Sequence, residues 1–405
     1  MSAVSRGLRF GLTGFVTLLA PLALFAADEA ARVFSLPPGA LARARTIARS
    51  REGEAAMKKL LSDADKALKV APPSVMEKLQ PAASGDKHDY RSQAIYFWPN
   101  PKTPDGLPYI RKDGRHNPEA EGPNDDSARF DRMSKTAETL ALAAALGGKE
   151  EYARHAAQLL RVWFLDPATR MNPNFNYGQV VPGLYDGLGK SVIESRAIVP
   201  AMDAAGLLEG SRAWKPADRD GFAKWIADFL TWMQTSPLGQ KEAAAQNNHG
   251  TFCDVQLAHL ALFAGKADLA KQILESPKEG RIAKQIEPDG SQPLELARAD
   301  SFGYSRFNIE ALSDLAVLGQ HVGVDLWRYQ APNGASLRKA FDFLLPYAED
   351  PAKPWPYEHG KQVDHDLDQL IFRFSFVFRE PRYVEALRRI AGRERKRDAL
   401  FYPAR

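Results

Sequence analysis

Cysteine is almost absent from this chain: Cys253 is the single thiol in 405 residues. One thiol excludes an internal disulfide framework and a zinc site built on cysteines. Net charge is small too, at +4, and two of the positive charges, Arg6 and Arg9, fall in the first 26 residues. A nearly balanced chain carries no electrostatic footprint for nucleic acid. Any hold on a polyanion must come from a locally basic cleft. No HExxH motif or closely spaced ligand trio occurs. His359 and His365, with Asp364 and Asp366 beside the latter, read as salt bridges or caps, so neither metal nor cofactor is expected. Alternation of the strand type is scarce, no repeat period emerges, and no low-complexity linker divides the chain. Nothing in the sequence speaks to oligomeric state.

Long apolar runs are missing except at the start. Arg6 and Arg9 precede a mostly apolar stretch from Phe10 to Phe25, and the small residues Ala26 and Ala27 follow. This reads as a signal peptide over 1–26 and hence as export to the periplasm. The run is short for a membrane span and is broken by Pro21. The remainder, 27–405, is expected to be one domain with no membrane segment.

What the chain has in quantity is helical periodicity. Helices are predicted over Leu41–Ser50, Glu54–Val70, Ala128–Leu146, Glu150–Phe164, Lys190–Ala205 and Pro216–Gln234. Further helices follow, from Asn247 or Asn248 to Ala264 and over Ala267–Leu274, Phe307–His321, Leu337–Tyr347, Asp366–Phe378 and Pro381–Arg395. Helical hairpins joined by short turns on one side and long polar loops on the other can close into an α/α toroid, an incomplete barrel with its loops gathered at one end. Trp225 and Trp232, seven apart, read as core packing.

The exception is 79–126, rich in Pro, Gly, Asp and Asn, with Tyr90, Tyr96, Phe97, Trp98 and Tyr109 interleaved. Loops of this length in compact domains tend to be lids or binding loops. Aromatic rings suit the C–H faces of sugars, so Tyr96, Trp98 and Tyr109 are candidate substrate contacts. A surface loop packed on its own aromatics fits equally well. Lys87, His88 and Arg111 are candidates for binding flanking carboxylates.

Two stretches carry the chemistry. Gln246-Asn247-Asn248-His249-Gly250 offers amides and an imidazole. About fifty residues on, Arg298 and Tyr304 offer a guanidinium and a phenol six apart. These groups match the needs of elimination across C4–C5 of a uronic acid. Amides or a guanidinium neutralise the carboxylate and acidify the C5 proton. A base removes that proton and an acid protonates the leaving O4. Asn248 and Arg298 suit the first task, His249 titrates near neutrality, and Tyr304 can donate or, beside a cation, act in part as a phenolate. Asn247 caps the helix or orients His249. Cys253 lies four residues after His249, but a buried thiol is more often inert packing than half of a nucleophile pair.

Taken together, these motifs resemble the alginate lyase superfamily. The resemblance rests on Asn247-Asn248-His249, Arg298 and Tyr304, and on Ser92-Gln93-Ala94-Ile95-Tyr96-Phe97-Trp98-Pro99 continuing through Pro104 to Arg111. Asn117-Pro118-Glu119 and Ser305-Arg306-Phe307-Asn308 add to it. The similarity spans roughly 85–320. It implies an α/α toroid, β-elimination without a required metal, an acidic polysaccharide substrate and a lid formed by the Tyr-Phe-Trp-Pro block. It also implies Asn248 and Arg298 as carboxylate partners, His249 as base or carboxylate partner, and Tyr304 as acid, or as base and acid together in a syn elimination. The best-known bacterial members place arginine and tyrosine seven apart, so Arg306 competes with Arg298. The Asp-Gly-Leu-Pro-Tyr loop resembles a sister branch that includes glucuronan lyases. Two rivals remain. A toroid glycoside hydrolase would use two acids from among Asp125, Asp126, Glu295 and Asp300. A polysaccharide-binding protein would have lost its acid/base pair.

Overall fold

A computed structural model of the protein describes residues 32–350, 352–357, 366–390 and 398–402. The expected leader, His359, His365 and the end of the last expected helix lie outside these residues. Among the described residues no helix is long and apolar enough to cross a membrane.

Helices α1 (Ala40–Ala48) and α2 (Glu54–Ala67) lead to the long α3 (Ser127–Gly147) and to α4 (Glu150–Leu160). Then come α5 (Ile198–Leu207), α6 (Pro216–Thr235), α7 (Pro237–Ala243), α8 (Asn248–Phe263) and α9 (Ala267–Glu275). The last are α10 (Ser301–Gln320), α11 (Leu337–Glu349), α12 (Asp368–Phe378) and α13 (Pro381–Ile390). Neighbours in sequence pack as hairpins: α3 against α2 and α4, α8 against α7 and α9, α12 against α13. Longer-range pairings, α3 with α5 and α8 with α10, tie the hairpins together. The turn Asp398–Phe401 comes back to α1, which brings the chain round to its start.

The core is continuous. An aromatic band runs from Phe130, stacked on Trp163 at 5.2 Å, through Phe164 and Trp225 to Phe229. Trp225 is buried and tilted against Phe229, and Trp232, partly buried, stacks on Phe229 from the edge of the core. Cys253 is fully buried in α8 and burial pushes its thiol well up, so it is packing and not a nucleophile.

Three expectations about helix boundaries are corrected. Residues 190–205 are not one helix: a 3₁₀ segment, Gly189–Ala197, precedes α5, and Pro200 sits in the first turn of α5. There its missing N–H costs nothing, so it starts the helix rather than ending it. α10 begins six residues before the expected Phe307. Asp300 caps it by accepting from the Gly303 N–H at 3.0 Å, and Tyr304 therefore rides on its first turn. The expected helix Glu54–Val70 stops at Ala67, and the short α7 occupies an interval before Asn247 that the sequence left unassigned.

The stretch 79–126 carries small strands. β1 (Arg91–Gln93) pairs in parallel with β4 (Tyr177–Val180), and β2 (Phe97–Trp98) pairs antiparallel with β3 (Ile110–Arg111). The root of this stretch is pinned by buried Lys78, whose ammonium meets Asp126 at 2.8 Å and donates to the carbonyls of Val75 and Lys87.

Candidate active site

A cleft of about 650 Å³ opens between residues 94–97 and Arg111, on and beside strands β2 and β3, the 3₁₀ segment and the N-terminal ends of α8 and α10. Its walls include Tyr96, Arg111, Lys190, Lys241, Asn248, His249, Arg298 and Tyr304. All four residues expected to be catalytic thus share one cavity.

Tyr304 and Arg298 form one unit. The guanidinium carbon lies 3.7 Å from the centre of the Tyr304 ring. The Tyr304 hydroxyl is 2.9 Å from that of Tyr96 on the lid, and either can donate. Burial raises the phenol above its ordinary value, the Tyr96 contact adds to that, and Arg298 pulls the other way. Arg298 is not a free cation. Its Nε and Nη2 donate to Asp113 at 3.2 Å, and Asp113 also holds Arg111 at 2.7 Å. Arg306 does not compete, because its guanidinium turns away to Glu310 and to the carbonyl of Asp366.

His249 stands on the first turn of α8. Its Nδ1 is 2.7 Å from Oε1 of Glu242 on α7, and Glu242 is almost fully buried. A buried carboxylate without this partner would be costly, so Nδ1 is the donor and Nε2 is left for other contacts. Asn248 is anchored twice: its backbone N–H donates to Oε1 of Glu295 at 2.7 Å and its side-chain amide to Oε2 at 2.6 Å. Its Oδ1 is buried and has no hydrogen-bond partner among the described residues. Burial raises the Glu295 carboxyl, and the two bonds from Asn248 oppose that. Asn247 is the N-cap of α8, makes no side-chain capping bond, and does not line the cleft.

The lid candidates divide. Tyr96 and Arg111 line the cleft, but Trp98, Tyr109, Lys87 and His88 do not. Trp98 donates to the carbonyl of Arg115 and lies under Lys112, inside its own loop. Tyr109 bonds Glu119, and His88 bonds the carbonyl of Arg170. Tyr90 is buried in the core. The stretch is therefore both a binding lid and a self-packed loop, with different aromatics serving each.

The sequence reading missed Glu242, Asp113, Lys190, Lys241 and the pair Gln179–Glu194, and it named Glu295 only as an acid for a hydrolase. Glu194 accepts from Ser92, Tyr90 and Gln179 and lines the cleft with Gln179, whose φ of 51° is left-handed. No motif marks these residues, because they come from five separate segments. Of the acids a hydrolase would need, Asp126 is buried against Lys78, Glu295 is bound to Asn248 and Asp300 caps α10. Only Asp125 of that set lines the cleft. Among the described residues no cluster of three or more metal-ligating side chains occurs.

A family model described as alginate lyase matches residues 74–355. The crystal structure of an alginate lyase from Bacteroides ovatus superposes with a TM-score of 0.87 at 40% identity, covering 93% of this chain and 100% of that one. Alginate lyase A1-III from Sphingomonas species A1 superposes with a TM-score of 0.55 at 17% identity, covering 87% of this chain and 94% of that one, a likeness of fold alone. No curated protein matches the chain.

Proposed function

The chain belongs to the alginate lyase family, as an α/α-toroid polysaccharide lyase acting on an acidic polysaccharide, and we propose that its substrate is alginate, cleaved by β-elimination in the cleft under the lid. The observation that carries this reading is the Tyr304 phenol, open to the cleft with the Arg298 guanidinium 3.7 Å from its ring centre, beside His249 and Asn248.

The division of labour follows from which groups are already engaged. Arg298 is bonded to Asp113 and stacked on Tyr304, so its charge acts on the phenol more than on substrate. The group left for the reacting carboxylate is then His249. Glu242 holds the ring through Nδ1, so that an imidazole protonated on both nitrogens would give Nε2–H to the carboxylate. Asn248, fixed by Glu295, sits alongside. Tyr304 is left with both protons. Its phenolate form, favoured by Arg298, takes the C5 proton. The electron pair forms the C4=C5 bond, the C4–O4 bond breaks, and the new phenol returns its proton to O4. The enzyme ends as it began. Tyr96 keeps the Tyr304 oxygen in place through the lid.

The apolar leader at 1–26 supports export, and we read the enzyme as periplasmic. The test of function is ultraviolet absorbance of unsaturated uronate on purified protein given polymannuronate, polyguluronate and glucuronan separately. A rise with either alginate polymer is the expected result. A rise with glucuronan alone would move the substrate to the sister branch. New reducing ends without absorbance would overturn elimination.

A further inference from the structure

The cations around the cleft are unequal in how far their charge is already answered. Arg111 and Arg298 share Asp113. His249 is held by Glu242, and His116 faces Glu121 at 3.6 Å. Arg196 lies over the rings of Phe252 and Phe307. Lys190 and Lys241 also line the cleft, are exposed, and have no hydrogen bond or ion pair among the described residues. They are the two lysines of the cleft wall, and among the described residues neither has a carboxylate bonded to it.

Their placement is built. Lys190 stands in the second position of the 3₁₀ segment Gly189–Ala197, and Lys241 stands on α7, which packs against that segment. The contact runs through Gly189, beside Lys190. A Cβ there would lie 2.9 Å from Cδ of Lys241 and 3.2 Å from its Cγ, so the missing side chain is the space that the Lys241 stem occupies. Glu242, the next residue on α7, bonds His249. One turn of helix thus holds both the partner of His249 and a free ammonium. Partial desolvation of the ammonium in the cleft wall, and then the nearby cations Arg111 and Arg298, hold Lys190 below its ordinary value, against the pull of Glu242 and Asp113. A bound anion would relieve that pressure.

We propose that Lys190 and Lys241 form a carboxylate-binding subsite for the uronate next to the reacting sugar. This rests on the lyase reading above and adds to it. The reacting carboxylate goes to His249 and Asn248, and the neighbouring one goes to the two lysines. A polymer with a neutral or esterified sugar at that position forfeits this contact. The lysine subsite thereby makes the enzyme select for consecutive uronates and not for one uronate in isolation.

The experiment is the double variant Lys190→Gln/Lys241→Gln, which keeps both aliphatic stems. Turnover is measured on alginate, and binding of a uronate oligosaccharide is measured by calorimetry over a range of salt concentrations. The expected result is a KM and a dissociation constant raised about tenfold, as for loss of charge-assisted bonds, with kcat within about twofold and a shallower salt dependence. Lys190→Arg/Lys241→Arg should restore affinity, and Lys224→Gln, which does not line the cleft and is paired with Asp228, should leave it unchanged. Gly189→Ala, which displaces the Lys241 stem, should weaken binding in the same direction. Wild-type affinity and salt dependence in the double variant would overturn the subsite, as would a fall in kcat with KM unchanged. A wild-type enzyme that releases no unsaturated ends would sink the lyase reading instead, and the calorimetric arm would still judge the lysines.

Discussion

The Arg298 guanidinium carbon sits 3.7 Å from the centre of the Tyr304 ring, and the same guanidinium is bonded to Asp113 on the lid. One side chain therefore does two things: it favours the phenolate and it fastens the roof over it. A cation stacked on a phenol stabilises the deprotonated form directly. Because that cation is also tied to Asp113, the position of the lid and the field that Arg298 exerts on Tyr304 are coupled.

Tyr304→Phe removes the group that carries both protons. Turnover should fall by at least about 10²-fold, the usual worth of an acid/base group, while binding of a uronate oligosaccharide changes little. The check is initial rate by unsaturated-uronate absorbance beside calorimetric affinity. Near-wild-type turnover would take Tyr304 out of the mechanism.

Arg298→Gln leaves burial and Tyr96, both of which raise the phenol, without their counterweight. The phenolate fraction at neutral pH drops, and because that fraction grows as pH rises, the activity profile should move to higher pH. Activity at neutral pH should fall on the order of tenfold or more. A rate profile of kcat against pH decides it; an equal loss at every pH would show that Arg298 only holds the lid.

The lid can be disturbed without touching any chemical group. Gly114 has φ of 69°, and a Cβ there would come within 2.5 Å of the Ala299 Cβ, next to Arg298. Gly114→Val should shift Asp113 and Tyr96 away from their partners and cut kcat/KM about tenfold or more. The melting temperature should change little, since the lid contributes few core residues. Unchanged kcat/KM would mean that the lid does not position Tyr304.

Burial pushes the Glu194 carboxyl up to about 7 from an ordinary 4.5, against three hydrogen bonds that lower it. The folded protein keeps this proton through a range in which the unfolded chain has released it. Its stabilising contribution is therefore complete below the unfolded value and lost as pH rises through about 7. Glu194→Gln removes that dependence. Melting temperatures taken across this window should show the variant gaining on wild type as pH rises. Parallel curves would place the Glu194 proton elsewhere.

Much of this protein was legible in its residues. Period-3.6 patterning foretold a mainly helical fold with most of its helices in place, because that pattern is local. The groups that the proposed elimination uses were legible for the same reason: Asn248-His249 and Arg298 with Tyr304 are each close in sequence. The start of α10 was misread because the capping Asp300 lies seven residues before Phe307, where the helical pattern becomes clear, and Gly303 hid the helix.

Side-chain partnership was not legible. Trp98 and Tyr109 look like sugar platforms, yet they satisfy groups within their own loop, while Tyr96 alone among the named lid candidates reaches Tyr304. Arg298 reads as a carboxylate clamp until Asp113, 185 residues earlier, is found on its fork. Glu242, Glu295, Lys190 and Lys241 have no motif, because their roles depend on which helix ends the toroid brings to one cleft. The sequence by itself determined the class of structure and the type of reaction, since both follow from short-range pattern and intrinsic side-chain chemistry. Only the tertiary structure decided which charges are already paired and which are left for substrate, since that depends on distances between segments far apart in the chain.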